Sequence, residues 1–169
     1  MKPGPKPHPR RTGEDDMKPS ATDTPDHARC LEIGRTCACY SLRKAARAVT
    51  RLYDDFLRPS GLRVTQFSVL MTARIRAPIT LTRLAHLTVM DRTTLTRNLK
   101  VLEKKKLIKT EPGEDRRERQ VRLTDLGEEK LVEAIPLWEE AQSRITSGLG
   151  EERMDGFQRD LLRVVSLAR

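Results

Sequence analysis

Three histidines, three cysteines and six aromatic residues are all that 169 residues contain of the side chains that most often carry chemistry. His8, His27 and His86 are scattered and no glycine-rich phosphate loop occurs, so no catalytic constellation can be assembled and no cofactor is expected. Nowhere does an apolar run approach the roughly 18 residues of a membrane-spanning helix. The basic start, Met1 to Arg11, has no apolar core of the kind that directs secretion. The chain therefore reads as a cytoplasmic protein that is not an enzyme. Residues 1–29 also lack aromatics, hold hardly an aliphatic residue and contain six of the ten prolines. Such a stretch cannot bury enough apolar surface to offset the entropy of ordering it, and it is expected to be a disordered tail.

What remains, residues 30–169, suits one compact domain with appendages. Between 31 and 58, Leu42, Ala45, Ala46, Val49, Leu52, Tyr53 and Phe56 recur at helical spacing until Pro59-Ser60-Gly61 stops them, which predicts one long amphipathic helix. A second helix is expected over about 65–76 with Phe67, Leu70 and Met71 inward. A third follows Pro78, with Thr80 as N-cap and Leu81, Leu84, Ala85 and Leu87 inward. After a short Thr88 to Asp91 turn, a helix over 92–105 places Leu95, Leu99 and Leu102 on one stripe. Its opposite side carries Thr93, Thr96, Arg97 and Lys100, and with Arg92 and Thr94 of the first turn these are the hydroxyls and cations that bond phosphate oxygens and base edges in a major groove.

Two strand-like runs follow, Leu107 to Thr110 and Arg119 to Leu123, with Pro112-Gly113 supplying a turn between them. The hairpin tip holds Asp115, Arg116 and Arg117, and exposed arginines at such a tip suit a minor groove, where the potential is most negative. Residues 62–123 thus read as a winged helix-turn-helix in a mainly α fold with a small β-hairpin. Charge agrees with that placement. From 91 to 123 there are 11 Lys and Arg against 6 Asp and Glu, a net of +5, whereas 124–169 has 6 against 10, a net of −4.

Leu131, Ile135, Trp138, Ala141 and Ile145 mark a helix starting near Thr124, and Met154, Phe157, Leu161, Val164 and Val165 mark another beyond Gly148 to Gly150. With the helix of 31–58, these stripes exceed what a small winged core can cover. A homodimer joined through 31–58 and 124–169, reading a pseudo-palindromic site in double-stranded DNA, is the expected arrangement.

These residues resemble the MarR family of transcriptional regulators. The resemblance spans about 31–169 and rests on Gly61 to Phe67, Asp91 to Leu102, Leu102 to Ile108, Glu114 to Arg117 and Arg122 to Gly127. It implies a triangular dimer that represses genes until a small ligand or oxidation changes the spacing of its reading heads. It also implies that Asp115 orients Arg117 for minor-groove insertion.

The cysteines, Cys30, Cys37 and Cys39, lie within ten residues of one another. In a reducing compartment a structural disulfide is not expected, which leaves redox sensing, metal binding or an incidental cluster. The peroxide-sensing OhrR branch of the family has its reactive cysteine near the start of this helix. That resemblance assigns the role to Cys39, with Cys37 nearby and Tyr53 as one of two tyrosines that hydrogen-bond the thiol; Arg43 stands in place of the other. Cys30, Cys37 and Cys39 are also weak metal candidates, because their spacing matches no standard zinc motif. Arg43, Arg47 and Arg51, one turn apart, suit the carboxylate of an aromatic effector. The rival reading of the whole chain is a helical protein-interaction module with only non-specific nucleic-acid affinity.

Overall fold

The computed structural model describes residues 26–113, 115 and 118–168. The expected disordered tail lies outside them over residues 1–25. Residues 27–29, expected to belong to it, are instead helical: α1 spans His27–Thr36, and the Asp26 side chain accepts from the Ala28 N–H at 3.2 Å as its N-cap. The expected single helix of 31–58 is likewise two, α1 and α2 (Ala38–Leu57), with Cys37 extended between them at φ −69, ψ 106. Gly34 and Thr36 are weak helix formers, and the Thr36 hydroxyl donates to the Glu32 carbonyl at 2.8 Å, so the local sequence favours a stop there.

The chain divides into two compact units, one ending at Leu42 and the other beginning at Arg43, inside α2. The second unit contains the remainder of α2, a single 3-10 turn at Arg58–Ser60, α3 (Val64–Arg76), β1 (Ile79–Thr80), α4 (Leu81–Thr88), α5 (Arg92–Lys104), β2 (Ile108–Pro112), β3 (Arg119–Leu123), α6 (Asp125–Leu149) and α7 (Glu151–Leu167). The predominantly helical class with a small antiparallel sheet is as expected, with one addition. β1 pairs with β3 through Ile79↔Val121 and Thr80↔Gln120, giving a three-stranded sheet in the order β1-β3-β2 rather than a bare hairpin. Two residues are too few to show a period of two.

Each junction has a local cause. Gly61 ends the 3-10 turn in the left-handed region at φ 70, where a side chain would be strained. Asp54 then fixes the start of α3, accepting from the Val64 N–H at 2.8 Å and pairing with Arg63 at 2.9 Å. Gln66 reaches back to the Arg63 N–H at 3.1 Å, a reciprocal cap that accounts for a buried glutamine. At the other end of the fold, Thr124 caps α6 by accepting from Gly127 N–H at 3.1 Å.

One apolar core unites these elements. Leu57, Leu70, Leu84, Leu95, Leu102 and Val121 are essentially inaccessible and belong to a single cluster, joined by Leu131 and Ala134 of α6. Phe67 and Trp138 stack with ring centroids 6.1 Å apart. At about 1.5–3 kcal/mol for each fully buried large side chain, this core holds α3, α4, α5 and the sheet as one body. The terminal helices differ. Ala45, Ala46 and Val49 of α2 and Phe157, Val164 and Val165 of α7 are exposed apolar residues.

Candidate nucleic-acid interface

The interface begins with a helix-turn-helix. Thr80 caps α4 by accepting from the Arg83 N–H at 3.2 Å, and α4 ends at Val89, whose N–H returns to the Ala85 and His86 carbonyls. Asp91 then caps α5: its Oδ1 accepts from the Thr94 N–H at 2.8 Å and its Oδ2 from the Thr94 hydroxyl at 2.5 Å. Those bonds, the hydroxyl first, hold the Asp91 carboxyl below its ordinary pKa.

Along α5, Leu95, Leu99 and Leu102 are buried, while Arg92, Thr93, Arg97 and Lys100 are exposed and Thr96 is half-exposed. Arg92, Thr93, Thr96, Arg97 and Lys100 together line one shallow open depression on the outer face. Among the described residues none of the three cations has an ion-pair partner closer than 4.0 Å. Thr94 stands at the cap, its hydroxyl hydrogen committed to Asp91. The Thr96 hydroxyl donates to the Arg92 carbonyl at 2.7 Å, which leaves its oxygen lone pairs outward-facing acceptors.

The wing is built on the pairs Ile108↔Leu123, Lys109↔Arg122, Thr110↔Val121, Glu111↔Gln120 and Pro112↔Arg119. Ile108 and Val121 turn into the core, so Lys109, Glu111, Gln120 and Arg122 share the other side of the ribbon. There Glu111 pairs with Lys109 at 2.8 Å and with Arg122 at 3.8 Å. The Lys109 hydrogen bond is the larger cause, and both cations hold the Glu111 carboxyl below its usual range. Glu103 accepts the Thr110 hydroxyl hydrogen, tying the wing to α5. At the tip, Gly113 N–H donates to the Glu118 carbonyl and Glu118 N–H to the Asp115 carbonyl, both at 2.8 Å. Asp115 is exposed there. Arg116 and Arg117 lie outside the described residues. Sequence reasoning overlooked Glu111, although Lys109 and Glu111 two apart on a strand must share a face.

The sensor candidates lie elsewhere. Cys30 and Cys39 are exposed, Cys37 is half-buried, and all three thiols are free. Cys37 Sγ accepts from the Tyr40 N–H at 3.4 Å. Among the described residues no three His, Cys, Asp or Glu side chains gather as metal ligands would, so Cys30, Cys37 and Cys39 are not brought together as an ion site. Tyr53 is buried, which raises its pKa, and its hydroxyl donates to Gln142 Oε1 at 2.6 Å. Nothing in the sequence signals that partner, 89 positions away.

A helix-turn-helix packed on a three-stranded sheet with a projecting hairpin defines a winged-helix DNA-binding protein. Among the described residues no helix is long and apolar enough to cross a membrane. A sequence model of the MarR family matches residues 60–118. The transcriptional regulator MosR of M. tuberculosis, solved in complex with DNA, is 38% identical with a TM-score of 0.70, over 79% of this chain and 98% of MosR. CouR, a transcriptional repressor solved on a 23-mer DNA duplex, is 26% identical with a TM-score of 0.71, over 82% of this chain and 97% of CouR. The HTH-type transcriptional regulator YwoH of Bacillus subtilis is 32% identical over 94 residues, 56% of this chain and 69% of YwoH. The chain belongs to the MarR family of DNA-binding transcriptional regulators. It is not an enzyme, and the protein-interaction alternative falls away.

Proposed function

We propose that this regulator is a cytoplasmic homodimeric repressor that reads a pseudo-palindromic operator. Arg92, Thr93, Thr94, Thr96, Arg97 and Lys100 of α5 serve the major groove, while Arg117, oriented by Asp115, reaches the adjacent minor groove with Arg116 beside it in sequence at the wing tip. One observation carries this reading: the outer face of α5 gathers in a single depression two hydroxyls and three cations that have no ion-pair partner among the described residues, while its inner face is buried leucine. A solvated helix surface would more commonly intersperse carboxylates among those cations. The unused apolar residues of α2 and α7 support pairing of two chains, which would set two reading helices about one DNA turn apart. We propose residues 62–123 as the reading part and the helices on either side of it as the pairing part.

Release from DNA follows, in this reading, from oxidation of Cys39. Its support is exposure of a free thiol on the first turn of α2, beside a second thiol at the helix break. The deciding experiment is a mobility-shift titration across a salt series. Arg97→Ala should weaken operator binding about 10- to 100-fold. Lys100→Ala should reduce the slope of log K against log salt by about 1. Unchanged binding in both variants rejects the reading.

A further inference from the structure

Among the described residues, two that carry side chains hold a left-handed backbone, Val89 at φ 54 and Lys106 at φ 59, and they bracket α5. Lys106 is unbranched, and its conformation closes the helix through an N–H bond to the Glu103 carbonyl at 2.8 Å. Val89 is the stranger of the two. Its Cβ carries two methyls that crowd the backbone in this region, whereas glycine would adopt φ 54, ψ 35 without strain.

The fold needs only the backbone of position 89. Its N–H caps α4, and the turn it makes leads into the Asp91 cap. The side chain is 60% exposed and lies outside the core cluster, so burial does not offset the strain. A strained residue whose side chain contributes little to its own fold is a mark of a site that uses that side chain. Position says which use. Val89 lies three residues before Arg92 and, with Ala85, His86, Met90 and Asp91, lines an open depression at the mouth of α5. The N-terminal end of the second helix in a helix-turn-helix is the end that approaches base edges. The apolar group that the major groove offers there is the C5-methyl of thymine.

We propose that Val89 is a specificity-determining residue whose methyls contact a thymine methyl at the edge of the half-site read by α5. This rests on α5 being the reading helix. The strained valine is kept because an alanine or glycine would leave the thymine methyl uncovered.

The test uses the full-length protein and the duplex it enriches from a random-sequence library. Each thymine of that duplex is replaced in turn by deoxyuridine, which lacks only the methyl. At one position per half-site the replacement should weaken the parent about fourfold, the worth of one buried methyl. V89G and V89A should both be blind to it and bind the unmodified duplex about tenfold less tightly. The slope of log K against log salt should stay unchanged in both, since no phosphate contact is lost. V89G should also melt about 2–4 °C higher than the parent, while V89A should not. If no deoxyuridine effect vanishes in V89G and V89A, or if V89A binds like the parent, the proposal is overturned. Arg97→Ala separates the failures: should it too bind normally, the reading helix itself is misassigned, and otherwise only Val89 is.

Discussion

A Cβ on Gly127 would lie 2.0 Å from the Leu107 carbonyl oxygen, well inside any permitted contact. That oxygen also accepts from the Thr124 N–H at 3.1 Å, and the Thr124 hydroxyl donates to the Lys106 carbonyl at 2.6 Å. The first turn of α6 is thereby pressed against the chain that leaves α5 and enters the wing. Only a residue without a side chain permits the approach.

Gly127→Ala should therefore destabilise the protein although alanine is the better helix former. The obstacle is backbone rather than a movable side chain, so the loss should be about 3 kcal/mol and the melting temperature should fall about 6–12 °C. Calorimetry on the variant decides it. A variant as stable as the parent would show that the two segments part without penalty.

The Asp91 cap makes the start of the reading helix sensitive to acid. Its folded pKa lies below the ordinary value, so the carboxylate stabilises the fold fully above that ordinary value, and the contribution is lost as pH falls through the folded one. Asp91→Asn keeps an acceptor for Thr94 N–H and should remove the acid sensitivity while preserving the helix. Asp91→Ala should lose the cap and melt a few degrees lower at neutral pH. Thermal melts of the three proteins between about pH 3 and pH 7 check the pattern; identical pH profiles for parent and Asp91→Asn would exclude the cap as its source.

The helix-turn-helix and wing were legible because their cues are local. Leucines at i, i+4 and i+7 mark the inner face of α5, Thr80 has capping chemistry, and Pro112-Gly113 sits between two strand-like runs. What was not legible depends on tertiary partners or on competition between weak preferences. β1 exists because Val121 offers Ile79 an edge. The break at Cys37 is a balance between apolar periodicity and a Thr36 hydroxyl that competes for a carbonyl. Val89 in a glycine-like conformation cannot be foreseen from residue type, because valine is among the residues least suited to it.

If oxidation of Cys39 is the release signal, Cys39→Ser should retain operator affinity and lose release by an organic hydroperoxide. Cys30→Ser, also exposed but on α1, should be released like the parent. Intact-mass analysis run beside the gel shift would register oxygen addition or loss of two hydrogens in the parent. Release of Cys39→Ser at the parent's peroxide concentration sinks the assignment.

Pairing through the terminal helices makes the last prediction, and it is the one that separates assembly from stability. Phe157, Val164 and Val165 lie on one side of α7 at spacings of seven and eight residues, and they are 44%, 39% and 37% exposed. Their removal from an isolated chain costs little, because the surface they cover there is small. In a dimer the same residues would be desolvated, and a charge in their midst would be buried unpaired. Phe157→Asp combined with Val165→Asp should therefore shift sedimentation from dimer to monomer while leaving most of the helical circular dichroism intact. Operator affinity should then fall by more than about tenfold, since the second half-site no longer binds at the high local concentration that linkage to the first supplies. Binding to a single half-site should change little, because α5 and the wing are untouched. A doubly substituted chain that still sediments as a dimer would move the pairing surface away from α7.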